Sequence, residues 1–168
     1  MRKWLLVAAE AFCILMIAGC GKMDKIRLTS FELTDVTPRG LRGIKAGALI
    51  GVENPSATFT LNDISGSIYY HGIHYVDFTA DPVTVKKRSS GKYEVKVEAR
   101  LADGISLLDA LPLFRNADRI DPAEVTLDVN AWIRSRGVKM KVNLEQERLD
   151  KIINMVKAQS RRNTKYEQ

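Results

Sequence analysis

The sequence predicts a mainly-β fold: an antiparallel β-sandwich with one short inserted helix and a C-terminal helix. Three observations carry this. The chain has 168 residues, 45% hydrophobic and 27% charged, the balance of one globular domain and not of a disordered, collagen-like or polytopic membrane chain. Segments 93–101, 125–133 and 138–144 alternate apolar and polar residues, a period of two that marks strands of a sheet with one wet face. No long helical pattern separates the strand segments, which suits antiparallel connections.

The first element stands apart from that domain. Met1-Arg2-Lys3-Trp4 is a short basic start, Leu5 to Ile17 is mostly apolar with Glu10 inside it, and Ala18-Gly19 precede Cys20. Basic, apolar, small is the order of a secretory signal peptide. The apolar run is shorter than the ~20 residues that span a bilayer. Ile17-Ala18-Gly19-Cys20 resembles the lipobox of bacterial lipoprotein precursors. The resemblance implies a diacylglyceryl group on the Cys20 thiol, cleavage just before it, and an N-acyl chain on the new terminus. No other cofactor is expected. At roughly 0.8 kcal/mol per buried methylene, two or three acyl chains hold a protein firmly on a membrane. Removal of residues 1–19 leaves about 149 residues, in which Cys20 is the one cysteine. The body is therefore expected to rest on its core, without a disulfide.

Residues 20–25 are short and polar and read as a tether. Ile26, Leu28, Phe31 and Leu33 mark a first strand. Ile44, Ala46, Ala48, Ile50 and Val52 mark a second, with Leu49 on its other face. Phe59, Leu61, Ile64, Ile68 and Tyr70 form a third, and Ile73 to Phe78 a fourth. His71-Gly72 between these last two reads as a tight hairpin turn. In the next strand Tyr93, Val95, Val97, Ala99 and Leu101 oppose Lys92, Glu94, Lys96, Glu98 and Arg100. Ser106-Leu107-Leu108-Asp109 is a capping-box variant that starts the inserted helix, expected to run to about Asn116 with Pro112 limiting it. Val125, Leu127, Val129, Ala131 and Ile133 form one further strand face, and Val138, Met140, Val142 and Leu144 another. Leu149, Ile152, Ile153 and Val156 share one face of a C-terminal helix. The expected division is a sandwich over 26–144 and a helix with a basic tail over 145–168.

Val52-Glu53-Asn54-Pro55-Ser56 ends a hydrophobic strand in Asn-Pro-Ser, and a second strand and the hairpin Tyr69-Tyr70-His71-Gly72-Ile73 follow. With the charged strand, the short helix over 107–114 and two closing strands, this order resembles the late embryogenesis abundant type 2 family, the water-stress and hypersensitive-response proteins. The resemblance covers about Ile26 to Leu144. It implies an immunoglobulin-like β-sandwich and a stress-related role, and it brings no catalytic residues. Physically, Asn54-Pro55 is a turn: Asn tolerates left-handed backbone and Pro cannot donate to a ladder.

The net charge is +6, which invites a nucleic-acid reading. Its distribution argues otherwise. Lys157, Arg161, Arg162 and Lys165 against Glu167 place about +3 in the last residues, and the tether adds about +1, leaving about +1 for 26–156. Nucleic-acid binding needs a clustered basic face and is not expected. Lys86-Lys87-Arg88, with Lys92 around Ser89-Ser90-Gly91, reads as a basic hairpin tip between strands. It is either a solvated turn or a contact for lipid headgroups or an acidic wall polymer. Lys157, Arg161 and Arg162 are a second candidate contact for anionic lipid.

Tyr69, Tyr70, His71, His74 and Tyr75 gather around one turn, where His71 and His74 could approach each other. Two histidines without a third ligand make a poor zinc site, so no metal site is expected. There is no Gly-x-Ser-x-Gly, no phosphate loop and no dinucleotide fingerprint, and no catalytic residue is assigned. The expected protein is a lipid-anchored, non-catalytic binding or structural module of a bacterial cell envelope. Gly21 after the cysteine resembles delivery to the outer membrane, facing the periplasm or the surface. The expected partner is the membrane, with an envelope protein as a candidate second; the sequence specifies no small-molecule ligand. The alternative is an accessory subunit of an envelope assembly that docks through its C-terminal helix.

Overall fold

The computed structural model describes residues 26–110, 119–151 and 154. Cys20 with Ile17, Ala18 and Gly19, residues 111–118, where the inserted helix was expected to continue, Ile152, Ile153 and Val156 of the expected C-terminal helix face, and Lys157, Arg161 and Arg162 lie outside them. Eight strands follow in order: β1 Arg27–Arg39, β2 Gly43–Asn54, β3 Phe59–Tyr70, β4 Ile73–Ala80, β5 Val83–Val85, β6 Ser89–Leu101, β7 Val125–Ser135 and β8 Val138–Arg148. The fold is mainly β, and every strand pairing is antiparallel.

Hydrogen bonding runs through one continuous sheet in the order β1-β2-β6-β4-β3-β7-β8, with β5 on β3. Ile50 and Val52 of β2 share a single buried cluster with Val95 of β6, Leu61 of β3, Val129 of β7 and Val142 of β8. Strands from opposite ends of that order meet in one core only because the sheet folds over on itself. This gives the two-layer packing that binary alternation demands when each strand has one apolar face. β7 shows the rule most cleanly: Val125, Leu127, Val129, Ala131 and Ile133 are buried and the residues between them are not. Leu61, Leu127, Val129 and Ile133 are 0% exposed.

Two hairpins turn through a pair of left-handed residues. His71 and Gly72 have φ of 49° and 77°, and Arg136 and Gly137 have 48° and 79°. Positive φ at both central positions is the two-residue turn whose twist matches the flanking strands. The inserted helix starts as expected. Ser106 N donates to Asp109 Oδ2 at 3.0 Å and Asp109 N donates to Ser106 Oγ at 3.2 Å, the reciprocal pair of a capping box. Hydrogen bonds from Ser106 hold the Asp109 carboxyl below its ordinary pKa.

The structure adds one strand and revises two expectations. β5 is a strand that alternation could not reveal, because three residues between Pro82 and Lys86 are too few to show a period. The basic turn at 86–88 is not a hairpin tip between paired strands. β5 pairs with β3, whereas β6 pairs with β2 and β4, so the turn carries the chain across the fold. Finally, β8 continues to Arg148, with Arg148 opposite Thr126, and Leu149 at the start of the last helix is 3% exposed in the core. The folded body therefore extends beyond residue 144.

The registers define two poles. Arg27 lies opposite Glu53, Asn54 opposite Ser89, Phe59 opposite Val85, and Ser135 opposite Val138. These residues mark the tether pole, where the chain leaves residues 20–25 and enters β1. Arg39 opposite Gly43, Tyr70 opposite both Ile73 and Val125, and Arg148 opposite Thr126 mark the far pole. Leu149, Asp150 and Lys151 follow β8 at the far pole.

Candidate functional site

The tether pole is built around Asn54. Its side chain is 0% exposed, the one buried polar residue among the described residues. A buried amide needs partners for its oxygen and both its hydrogens, and Asn54 finds them. Nδ2 donates to the Ala57 and Lys86 carbonyls, each at 2.9 Å, and Oδ1 accepts from Ser56 N at 2.9 Å. The Oδ1 contact with the amide two residues on is the Asx-type turn that Asn favours. The Lys86 contact joins this corner to the basic turn, thirty-two residues away in sequence.

The corner holds the basic turn by its backbone. Lys87 N donates to Thr58 Oγ1 at 3.0 Å and Arg88 N donates to the Ser56 carbonyl at 3.3 Å. Ser89 Oγ donates to the Lys86 carbonyl at 2.6 Å and bonds the Tyr93 hydroxyl at 3.0 Å. Arg88 has a φ of 47°, a left-handed bend that these contacts maintain. Main-chain groups do the holding, so the side chains of Lys86, Lys87 and Arg88 are left exposed.

A third loop joins them. Ser135 Oγ donates to the Thr58 carbonyl at 2.9 Å. Thr58 thus accepts from the basic turn through its hydroxyl and from the β7–β8 hairpin through its main chain. The hairpin adds exposed Arg134, Arg136 and Lys139, and at its tip Val138 is 58% exposed. Lys139 Nζ lies 4.1 Å from the Trp132 ring centroid, a cation–π contact that orients both groups. The loops 54–58, 86–88 and 135–138 contain four basic residues and no acidic one. The sequence singles out Lys86, Lys87 and Arg88 but not Arg136, which stands about fifty residues on. Arg136-Gly137 between two alternating segments is the signal that marks a hairpin tip there.

The histidine cluster resolves into two separate arrangements. His74 Nε2 lies 2.7 Å from Asp77 Oδ1, and its ring stacks at 5.1 Å on Tyr69. His71 Nε2 lies 3.4 Å from Glu124 Oε2, which also accepts from the Tyr70 hydroxyl at 3.3 Å. Each histidine has its own carboxylate, so where the sequence allowed His71 and His74 to approach each other the structure forms two separate pairs. Ser67 Oγ donates to the same Asp77 oxygen at 2.7 Å. Asp77 therefore stands between serine and histidine, whereas an activated serine needs the histidine in the middle. A hydrogen bond to Asp128 raises the Tyr69 phenol above its ordinary pKa. Among the described residues, no group of three or more His, Cys, Asp and Glu side chains is placed to hold a metal ion.

The far pole has a shallow cavity of about 250 Å³ lined by Arg39, Arg42, Gly43, Ile44, Glu98 and Arg100. One of its three arginines is engaged by the main chain: Arg42 Nη2 donates to the Ala102 carbonyl at 2.7 Å and to Leu101 O at 3.2 Å. Glu98 is paired with Lys45 at 2.9 Å, and that contact holds its carboxyl below the ordinary value. Three leucines lie exposed at this pole: Leu41 at 81% in the β1–β2 turn, and Leu107 at 45% and Leu108 at 79% in the first turn of the inserted helix.

No family model and no curated protein matches the chain. Among solved structures it is similar to a protein from Archaeoglobus fulgidus known from its crystal structure, at 16% identity and a TM-score of 0.45, over 70% of this chain and 90% of that one.

Proposed function

We propose that this protein is a lipid-anchored component of a bacterial cell envelope, held by acyl chains on Cys20, with a β-sandwich that acts as a non-catalytic binding or structural module. The observation that carries the reading is the basic, apolar, small-residue start closing in Ile17-Ala18-Gly19-Cys20. The length of the tether supports it. Ile26 is 4% exposed in the core, so a core residue stands only six positions after Cys20 in the sequence. The Asn54-Pro55-Ser56 corner, in its strand order, supports a module of the late embryogenesis abundant type 2 kind. An outer-membrane location rests on Gly21.

Labelled palmitate fed to cells is expected to enter the wild-type chain and to be absent from Cys20→Ser, with the variant leaving the membrane fraction. Label that persists in Cys20→Ser, or an unlabelled wild-type chain, overturns the reading.

The exposed Leu107 and Leu108 favour a second reading, an accessory subunit of an envelope assembly that docks at the far pole, where the C-terminal segment begins. Capture of envelope partners should then fall with Leu107→Ser/Leu108→Ser and with truncation after Lys151. Cutting at residue 145 would instead remove paired residues of β8 and the buried Leu149, and would test stability rather than docking.

A further inference from the structure

We propose that the tether pole is a docking surface for an anionic phospholipid bilayer, so that the sandwich stands on the membrane through Lys86, Lys87, Arg88 and Arg136 with its strands pointing away. The proposal rests on the lipid-anchored reading and adds an orientation and a partner to it.

Three observations converge. The first is position. Residues 20–25 can span at most roughly 20 Å when extended, and Ile26 lies beside the corner that holds the basic turn, since Arg27 opposes Glu53 and Asn54 opposes Ser89. An anchor on Cys20 therefore keeps this pole, and not the far pole, within reach of the headgroups. The second is charge. Four basic side chains of two loops project from one end with no acid among the three loops, and Arg134 and Lys139 stand exposed just behind. Attraction of basic side chains to an anionic surface acts within a Debye length, about 8 Å at physiological salt, and the tether brings the pole into that range. The third is shape. Val138 is 58% exposed between Arg136 and Lys139, an apolar tip flanked by cations, and Trp132 lies against Lys139. Apolar and aromatic groups beside basic ones suit the boundary between headgroups and acyl chains.

The test uses the full-length chain incorporated into vesicles of phosphatidylcholine alone or with phosphatidylglycerol, with acetylation rates of single lysines read by mass spectrometry. Lys86, Lys87 and Lys139 are expected to react roughly three-fold more slowly or less on phosphatidylglycerol, and the protection should fade as salt shortens the Debye length. Lys151, beyond β8 at the far pole, should react equally on both. Lys86→Gln/Lys87→Gln/Arg136→Asn changes only exposed side chains, and Asn tolerates the left-handed position. In that variant Lys139 should regain its phosphatidylcholine rate at an unchanged melting temperature. Equal rates on the two vesicles, protection of Lys151 instead, or a variant whose Lys139 stays protected overturns the proposal. So does protection by a soluble anionic polysaccharide with none by the vesicles, which assigns the pole to a wall polymer. The mass of the Cys20 peptide in the same digest keeps the two readings apart. Acylated and unprotected, the anchor stands and the docking falls; unacylated yet protected on added phosphatidylglycerol vesicles, the docking stands and the anchor falls.

Discussion

Asn54→Ala is expected to lower the stability of the domain by about 2–4 kcal/mol and its melting temperature by roughly 10 °C. The side chain satisfies Ser56 N and the carbonyls of Ala57 and Lys86 from a fully buried position. Alanine removes one hydrogen-bond partner from each of those groups, and each buried polar group left uncompensated costs about 1–3 kcal/mol. The Lys86 carbonyl keeps its bond from Ser89, which places the expectation below a simple sum. Loss should be local as well as global: the amides of Lys87 and Arg88, bonded to Thr58 and Ser56, should exchange with solvent faster than those of β7. Asn54→Asp should be worse than alanine near neutral pH. It replaces a donor facing two carbonyls with a carboxylate, whose pKa burial among acceptors raises. A raised folded pKa means the deficit is smallest at low pH and grows as pH rises through it. Urea midpoints across pH for the two variants check both statements. An alanine variant as stable as wild type would show that the corner is not held by this side chain.

Gly66→Ala is expected to cost about 3 kcal/mol or more, an effect at or above the upper end for inserting one methyl group into a packed core. Gly66 sits mid-strand in β3, between Phe78 of β4 and Val129 of β7. A Cβ there would meet the Asp128 carbonyl oxygen of β7 and lie 2.5 Å from Cζ and 2.7 Å from Cε1 of the Phe78 ring. The ring fills the space the missing side chain leaves between Ile64 and Ile68, a pairing of large with small across neighbouring strands. Phe78→Leu in the alanine background should recover the part due to the ring. It should not recover the part due to the carbonyl, because a backbone oxygen in a paired strand cannot step aside. Denaturation midpoints of the four proteins in this double-mutant cycle separate the two contributions. Full recovery in the double variant would place the whole effect in the ring.

Much of the fold was legible because its strands obey one period. β7 carries an unbroken alternation, and for such a segment the core face and the wet face are determined residue by residue; in β8 the same pattern fails at its start, where Val138 is 58% exposed at the hairpin tip, and at a register shift between Leu144 and Glu147. His71-Gly72 and the Ser106–Asp109 capping box were legible because each demands particular chemistry at fixed spacing. β5 was not, since three residues hold no period. Nor was the path of 86–88, because strand order depends on which edges pair, and pairing is a long-range choice that local pattern does not contain. The pole itself shows the limit most clearly. Summing charges along 26–156 gives nearly neutral, and that sum hides a separation in space: Lys86, Lys87 and Arg88 share one pole with Arg136, where Thr58 receives a hydrogen bond from each loop. Composition averages over positions that folding brings together. Cys20 lies outside the described residues, and its place in the anchored reading rests on the sequence pattern alone.

The registration of β1 along β2, from Arg27 opposite Glu53 to Arg39 opposite Gly43, has a mechanical consequence. The chain enters β1 at the tether pole, so any tension transmitted from an anchored N-terminus acts along the strand axis. A load borne between that anchor and a partner held at the far pole would shear the whole β1–β2 ladder at once. It would not unzip the ladder bond by bond. An edge strand that is easily peeled sideways would in this way resist a lengthwise pull with all its ladder bonds together, so that an N-terminal anchor, if present, would load β1 in its stronger direction.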